Sequence, residues 1–363
     1  MRLKNIKKIL LVNPYGIGDS LFITPLIRTL KKVYPDTLLD ILIGSRTKEV
    51  FYLNPDVHHI FEYNKDYFFS LPLAKRWLFY LKLHRNLKKQ NFDLMLDFSN
   101  TDEYAFLAKF FWKIPIRIGF QYRNRGRFLN YRIPKELSNP FENERPIVEH
   151  YYRLLKFLEI DSKHFEKRLH FYPDPKESLW LKSLFQQYSI SEKELIILIV
   201  PGGGASWGIN ANYKQWPPEH FSNLISKLIS SLNARLFLVG GYADQPLCSR
   251  LFSSFKSCID LSGKTNLHQL AALMKSSRMV IGNESGPLHL ATALDCKAIL
   301  LYGPVSQKMY GPYSETNNQI PLYHEMPCRP CYQNYRSPLC ENRLCLSDLK
   351  PEGVYQQVLN AFK

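Results

Sequence analysis

The chain has 363 residues, 45% of them hydrophobic and 22% charged, which is ample for real cores and excludes a disordered chain. Its formal charge of +16 points to anionic partners: a phosphorylated substrate, a phospholipid surface or nucleic acid. No apolar run approaches the ~20 residues that span a bilayer. The run Ile9 to Val12 after Lys7 and Lys8 reads as a strand and not as a signal peptide, so a cytoplasmic protein, soluble or peripheral to the inner membrane, is expected.

Ile9 to Val12 is a buried strand that ends in Asn13-Pro14-Tyr15-Gly16-Ile17-Gly18-Asp19-Ser20. A helix follows with Phe22, Leu26, Leu30 and Val33 at helical spacing, Tyr34-Pro35-Asp36 stops it, and Leu38 to Ile43 is the next strand. This βαβ opening predicts a parallel sheet. The Gly-x-Gly is not the dinucleotide fingerprint, because the third glycine is missing and no acidic residue clearly ends the second strand. Asp19 reads either as a helix N-cap or as a carboxylate presented at the strand end.

Residues 67–90 hold Tyr67-Phe68-Phe69, Trp77, Phe79 and Tyr80 with Lys75, Arg76, Lys82, Arg85, Lys88 and Lys89, and no acid from Leu73 to Lys89. Such a helix either packs on the sheet with a solvated basic face or lies on an anionic membrane surface. Phe92 to Leu96 is a strand that ends in Asp97-Phe98-Ser99-Asn100. Residues 104–135 carry eight Lys or Arg and no Asp or Glu; Arg117, Arg123, Arg125, Arg127 and Arg132 dominate, and their guanidinium forks suit phosphates and carboxylates. Residues 146–158 read as a helix. The pattern breaks at Phe171-Tyr172-Pro173-Asp174-Pro175, which divides the chain into domains 1–172 and 173–363.

The alternation restarts with Ile196 to Val200, which ends in Pro201-Gly202-Gly203-Gly204-Ala205-Ser206-Trp207. Lys214-Gln215-Trp216-Pro217-Pro218 leads into a helix from Glu219. Leu236 to Val239 and Cys258 to Leu261 are strands, and Asn266 to Lys275 is a helix. Met279 to Ile281 runs into Gly282-Asn283-Glu284-Ser285-Gly286 and a helix that starts near Pro287; Ala298 to Leu301 is another strand. Strand, small polar loop and helix start together suit an anion. Ligands of open α/β sheets bind at C-terminal strand ends, and glycine there admits close backbone approach to phosphates. The second half is therefore expected to bind a nucleotide and the first half the other substrate. No Walker motif is present, so a P-loop NTPase is excluded. Charge alone also suits nucleic acid, but no nucleic-acid-binding motif accompanies it and the glycine loops would go unexplained.

Three motifs in order, Asn13 to Asp19 with Thr24-Pro25-Leu26, Pro201 to Ser206 with Lys214-Gln215-Trp216-Pro217, and Asn283 to Ala291, resemble glycosyltransferase family 9, the heptosyltransferases of lipopolysaccharide core assembly. The likeness is close over residues 6–45 and 196–312 and rests on order and spacing in between. It implies a GT-B fold: α/β, two Rossmann-like domains whose parallel sheets face across a cleft, with a final helix that packs back on the first domain. It implies an inverting, metal-independent transfer with no cofactor, from ADP-heptose to an anionic glycolipid, the lipid A core. Asp19 matches the general base and Lys214 the lysine that meets the donor phosphates. Gly203, Gly204, Ser206, Glu284, Ser285, Gly286 and His289 fall on the donor loops, and Gly16, Gly18, Arg117, Arg123 and Arg125 on the acceptor side. Glu284 stands where many relatives have Asp, and residues 208–213 lengthen the donor loop. A GT-B enzyme that uses another nucleotide sugar, as transferase or epimerase, is the alternative.

Cys328, Cys331, Cys340 and Cys345 have the spacing Cys-x₂-Cys, eight residues, Cys-x₄-Cys. Four thiolates at that spacing are candidates for a structural zinc, and reduced surface cysteines are the alternative.

Overall fold

The computed structural model describes residues 6–64, 70–134, 145–191, 193–332 and 340–363. Tyr67, Phe68 and Phe69 lie outside the described residues, as do the side chains of Trp77, Phe79 and Ser206. The chain divides into two units, Met1–Lys167 and Arg168–Lys363, a few residues before the boundary read from the sequence.

The first unit holds β1 (Lys8–Asn13), β2 (Leu38–Gly44), β3 (His59–Tyr63), β4 (Leu94–Asp97), β5 (Ile116–Gln121) and β6 (Tyr131–Pro134). Its helices are α1 (Ile17–Phe22), α2 (Thr24–Val33), α3 (Lys48–Phe51), α4 (Leu73–Lys89), α5 (Glu103–Phe110) and α6 (Ile147–Tyr152). The strands pair in parallel in the order β3-β2-β1-β4-β5-β6, with Val12 of β1 opposite Asp97 of β4. Ile9 to Val12 and Leu94 to Leu96 are wholly buried, the near-continuous apolar runs that a sheet covered on both faces demands. The single helix expected after Asp19 is two: it breaks at Ile23, and Pro25 starts α2 where its missing N–H costs nothing. Leu10, Val12 and Met95 form a core with Leu87 of α4, Leu107 and Ala108 of α5, and Trp112.

The second unit repeats the plan. It holds β7 (Ile196–Val200), β8 (Arg235–Leu238), β9 (Ile259–Asp260), β10 (Met279–Asn283), β11 (Ala298–Tyr302) and β12 (Gln319–Tyr323), in the order β12-β11-β10-β7-β8-β9 and again all parallel. Its helices are α7 (Glu177–Gln187), α8 (Pro218–Leu232), α9 (Gln245–Ser254), α10 (Leu267–Ser276), α11 (Gly286–Ala293), α12 (Leu344–Ser347) and α13 (Pro351–Phe362). In each sheet, order along the chain reverses beside the first strand, between β1 and β4 and between β7 and β10. That is the doubly wound Rossmann order, whose ligands bind outside the carboxyl ends of strands at the reversal.

The final helix packs within the second unit. Val354 and Val358 of α13 are wholly buried with Phe221, Leu224 and Leu228 of α8, and Lys297 Nζ donates to the Ala361 carbonyl at 2.6 Å. Among the described residues no helix is long and apolar enough to cross a membrane.

Candidate functional site

The reversal point of the second sheet joins the loops after β7 and β10. After Val200 the chain enters Pro201-Gly202-Gly203-Gly204. Gly204 has φ +89°, a conformation that L side chains rarely adopt, and a Cβ on Gly203 would run into the Ala211 carbonyl oxygen. A 3₁₀ segment, Ala205–Lys214, then delivers Lys214 into the interior. Trp216 anchors its end: wholly buried, it donates its indole N–H to the Leu349 carbonyl at 2.7 Å and its backbone N–H to Asn283 Oδ1 at 2.9 Å. Asn283 also donates through Nδ2 to the Pro201 carbonyl at 2.7 Å, so one buried amide ties both loops.

Glu284, the next residue, turns inward. One carboxylate oxygen pairs with Lys214 Nζ, and the other lies 2.9 Å from Nε2 of His289, one turn into α11. Lys214 and Glu284 are each 6% exposed and His289 2%. Burial pushes the Glu284 carboxyl up, but the Lys214 charge and the His289 hydrogen bond outweigh it and hold the pKa down at about 2. Lys214 Nζ also sits 5.0 Å from the centroid of Trp207.

This geometry changes two expectations. Glu284 and Ser285, expected on the donor loops, turn to the protein: both Glu284 oxygens are engaged within it, and Ser285 Oγ donates to the Asn283 carbonyl at 2.9 Å. The helix start of α11, expected to suit an anion, offers few free N–H groups. Pro287 has none, and the N–H groups of Leu288 and His289 both donate to the Ser285 carbonyl, at 3.0 and 3.1 Å. The positive charge of the site therefore comes chiefly from Lys214, with Gly203, Gly204 and Gly286 as close backbone. A fixed cation beside glycine main chain suits a phosphate group.

A strap holds the loop carrying Lys214. Tyr332 packs its ring 4.6 Å from Trp207, and Arg343 donates to the Asn212 carbonyl at 2.7 Å. Arg329 donates to the carbonyls of Gly303 at 2.7 Å and Val305 at 3.2 Å. The strap contains the four clustered cysteines. Cys328 and Cys340 are exposed, Cys331 is half-buried, and Cys345 in α12 is buried in the core beside Leu346. Burial pushes the Cys345 thiol up to about 11, and the neighbouring Cys331, Cys340 and Cys328 add to the effect. Among the described residues no group of three or more His, Cys, Asp or Glu is placed to hold a metal ion.

The reversal point of the first sheet gathers Tyr15, Asp19, Ser99, Asn100 and Arg125. Gly16, not Asp19, is the N-cap of α1; Asp19 is its third residue and half-buried. Asn13, buried at the end of β1, donates to the Asp19 carbonyl at 3.1 Å and accepts from Tyr15 N at 3.4 Å. The Tyr15 hydroxyl donates to the Ser99 carbonyl, and Asn100 Nδ2 reaches that hydroxyl at 3.4 Å. Burial pushes Tyr15 up to about 12, and the negative charges of Asp19 and Asp97 add to the effect. Arg125, exposed beyond the end of β5, donates to the Asn100 carbonyl at 3.4 Å. Arg123 is exposed beside it, its guanidinium 5.2 Å from the Tyr122 ring centroid. Gly16 and Gly18 form the turn and first helical residues above β1.

Arg117 departs from its expected place. It lies at the second residue of β5, the opposite end from the strand termini. Its guanidinium is buried and donates to the carbonyls of Phe128 at 2.8 Å and Pro115 at 3.1 Å and to that of Ile114. In this structure it staples strand ends.

Asp97 went unremarked as a site residue. It is 3% exposed and accepts the Ser99 N–H at 2.8 Å, yet burial pushes it up to about 6 against those hydrogen bonds. A raised acid binds its proton more tightly when folded. Its cost to stability is therefore absent below its ordinary 3.8, grows as pH rises to about 6, and is constant above. Asp97→Asn, which keeps the acceptor, is expected to raise stability on the order of 2 kcal/mol at pH 8 and by nothing near pH 4. Urea titrations of both proteins across that range check it; an advantage independent of pH would assign the effect to packing.

The model of glycosyltransferase family 9 (heptosyltransferase) matches residues 80–338, well over half of the chain, and takes in the second and third motifs. The chain is 27% identical over 361 residues to lipopolysaccharide heptosyltransferase 2 of Salmonella typhimurium, with 97% of each covered. Among solved structures it resembles that of E. coli ADP-heptose lps heptosyltransferase II, with a TM-score of 0.74 at 22% identity over 98% of both chains. It also resembles E. coli heptosyltransferase WaaC with ADP, with a TM-score of 0.71 at 18% identity over 98% of this chain and 99% of that one. The two doubly wound sheets and the likeness to these neighbours give the GT-B fold, and the chain belongs to glycosyltransferase family 9, the heptosyltransferase family.

Proposed function

We propose that the protein moves a heptosyl group from ADP-heptose to a sugar of the lipopolysaccharide inner core, with inversion at the anomeric carbon. The observation that carries this reading is Lys214, a buried cation fixed by Glu284 beside the glycine loop at the reversal point of the second sheet. The relative from Salmonella typhimurium is a lipopolysaccharide heptosyltransferase, and one structural neighbour was solved with ADP. Asp19 takes the proton of the acceptor hydroxyl as its oxygen bonds to the anomeric carbon. The bond from that carbon to the diphosphate breaks on the opposite face, and Lys214 stabilises the charge that grows on the leaving ADP. Arg123 and Arg125 meet the anionic groups of the acceptor.

Thermal unfolding with ADP-, UDP- and GDP-sugars tests the donor. At 100 times its Kd a true donor stabilises the fold by about 2.7 kcal/mol, and ADP-heptose is expected to be the sugar that does so at the lowest concentration. Product analysis then separates the classes: a lengthened acceptor supports transfer, whereas a free rearranged sugar would make the protein an epimerase.

A further inference from the structure

One face of the first unit is both apolar and basic in a way the donor and acceptor sites do not use. On α5 and just beyond it, Phe106, Phe110 and Phe111 are 39%, 43% and 52% exposed. They form a continuous aromatic cluster: Phe106 lies 4.9 Å from Phe110, 6.0 Å from Phe111 and 5.2 Å from Phe128, centroid to centroid. Lys109 extends over it, its Nζ 5.0 Å from the Phe110 centroid. On α4, Leu78 and Leu81 are 67% and 45% exposed. Lys75, Lys82, Arg85 and Lys89 are exposed too, and with Leu78 they follow one another at helical spacing. The helix carries no carboxylate along its length.

The two surfaces are joined behind. Trp112 donates its indole N–H to His84 Nδ1 of α4 at 2.9 Å, and their rings stack at 5.6 Å. Leu87 of α4 and Ala108 of α5 share one core. Five large exposed apolar side chains among basic ones are more than a surface helix needs for solubility, and α4 itself carries no acid to offset its positive charge.

We propose that this face, Leu78 and Leu81 of α4 with Phe106, Phe110 and Phe111, docks on an anionic lipid bilayer. The rings and leucines enter the boundary between headgroups and acyl chains, and Lys75, Lys82, Arg85, Lys89 and Lys109 meet the lipid phosphates. It extends the reading of a glycolipid acceptor, because docking brings the first unit to the membrane that carries the acceptor. It needs nothing of the donor site.

The test is co-sedimentation of the full chain with vesicles of phosphatidylcholine alone or with about a third phosphatidylglycerol, at low and high salt. The wild type is expected to bind the anionic vesicles, to be released by salt, and to ignore the neutral ones. The variant Lys82→Ala/Arg85→Ala/Lys89→Ala should lose affinity by roughly 100-fold. Phe106→Ser/Phe110→Ser/Phe111→Ser should lose binding that salt does not restore. Melting temperature and donor-induced stabilisation show that each variant is folded. Transfer to a lipid-free acceptor fragment should be unchanged in both, so failure of docking is distinguishable from failure of the transferase reading. Wild-type binding that is equal on neutral and anionic vesicles, or variants that bind as the wild type does, would overturn the proposal.

Discussion

Asp19→Asn is expected to lower kcat by roughly 10²–10⁴ with little change in melting temperature. Asp19 is the third residue of a six-residue helix whose cap is Gly16, so the substitution removes no capping hydrogen bond. What the helix loses is the attraction of a carboxylate for its N-terminal dipole, about 0.3–1 kcal/mol. Asparagine keeps the size and polarity of the side chain but cannot take a proton from an acceptor hydroxyl. The donor loops belong to the other unit, so donor-induced stabilisation should survive. A variant that folds, binds donor and turns over within a few-fold of wild type would leave Asp19 a helix residue.

Lys214→Ala should harm the enzyme twice. It leaves Glu284, 6% exposed, without its cation, and a buried charge stripped of its partner destabilises by about 3–5 kcal/mol. It also removes the charge assigned to the diphosphate, worth on the order of 3 kcal/mol in the barrier. The double variant Lys214→Ala/Glu284→Gln separates the two effects, since the glutamine is neutral and still reaches His289. It should recover most of the melting temperature while donor affinity and rate stay low. Recovery of transfer together with stability would reduce Lys214 to a structural counter-ion. The low pKa of Glu284 adds a sign: the stability contributed by the ion pair is full above the ordinary 4.5 and is lost as pH falls through about 2, so the double variant should show less acid sensitivity there.

The two βαβ halves and their glycine loops were legible because parallel strands buried on both faces must be continuous apolar runs, as Ile9 to Val12 and Ile196 to Val200 are. β6 and β12 were not, since each is an edge strand with a proline, Pro134 and Pro321, that breaks the strand pattern yet is tolerated at an edge. The arginines of residues 104–135 look alike in sequence. Only the register of β5 reveals that Arg117 lies at the foot of the sheet and Arg125 beyond its top. Asn13 and Asn283 stood inside the quoted motifs, but their task, tying loops from buried strand ends, appears only when the partner carbonyls are in place. The resemblance marked Lys214 and Glu284 as donor-loop groups; that they pair with each other is a property of two loops 70 residues apart meeting at one reversal point.

The strap has a thermodynamic consequence for affinity. The loop that carries Lys214 is held by Trp207 against Tyr332 and by Arg343 on the Asn212 carbonyl. Tyr332 and Arg343 thus restrain that loop from outside it. Apparent affinity is the intrinsic affinity multiplied by the fraction of molecules in which a loop holds its binding-competent shape. If loosening Tyr332 or Arg343 lowered that fraction to a tenth, the protein would bind its donor about tenfold more weakly without losing a single contact to it.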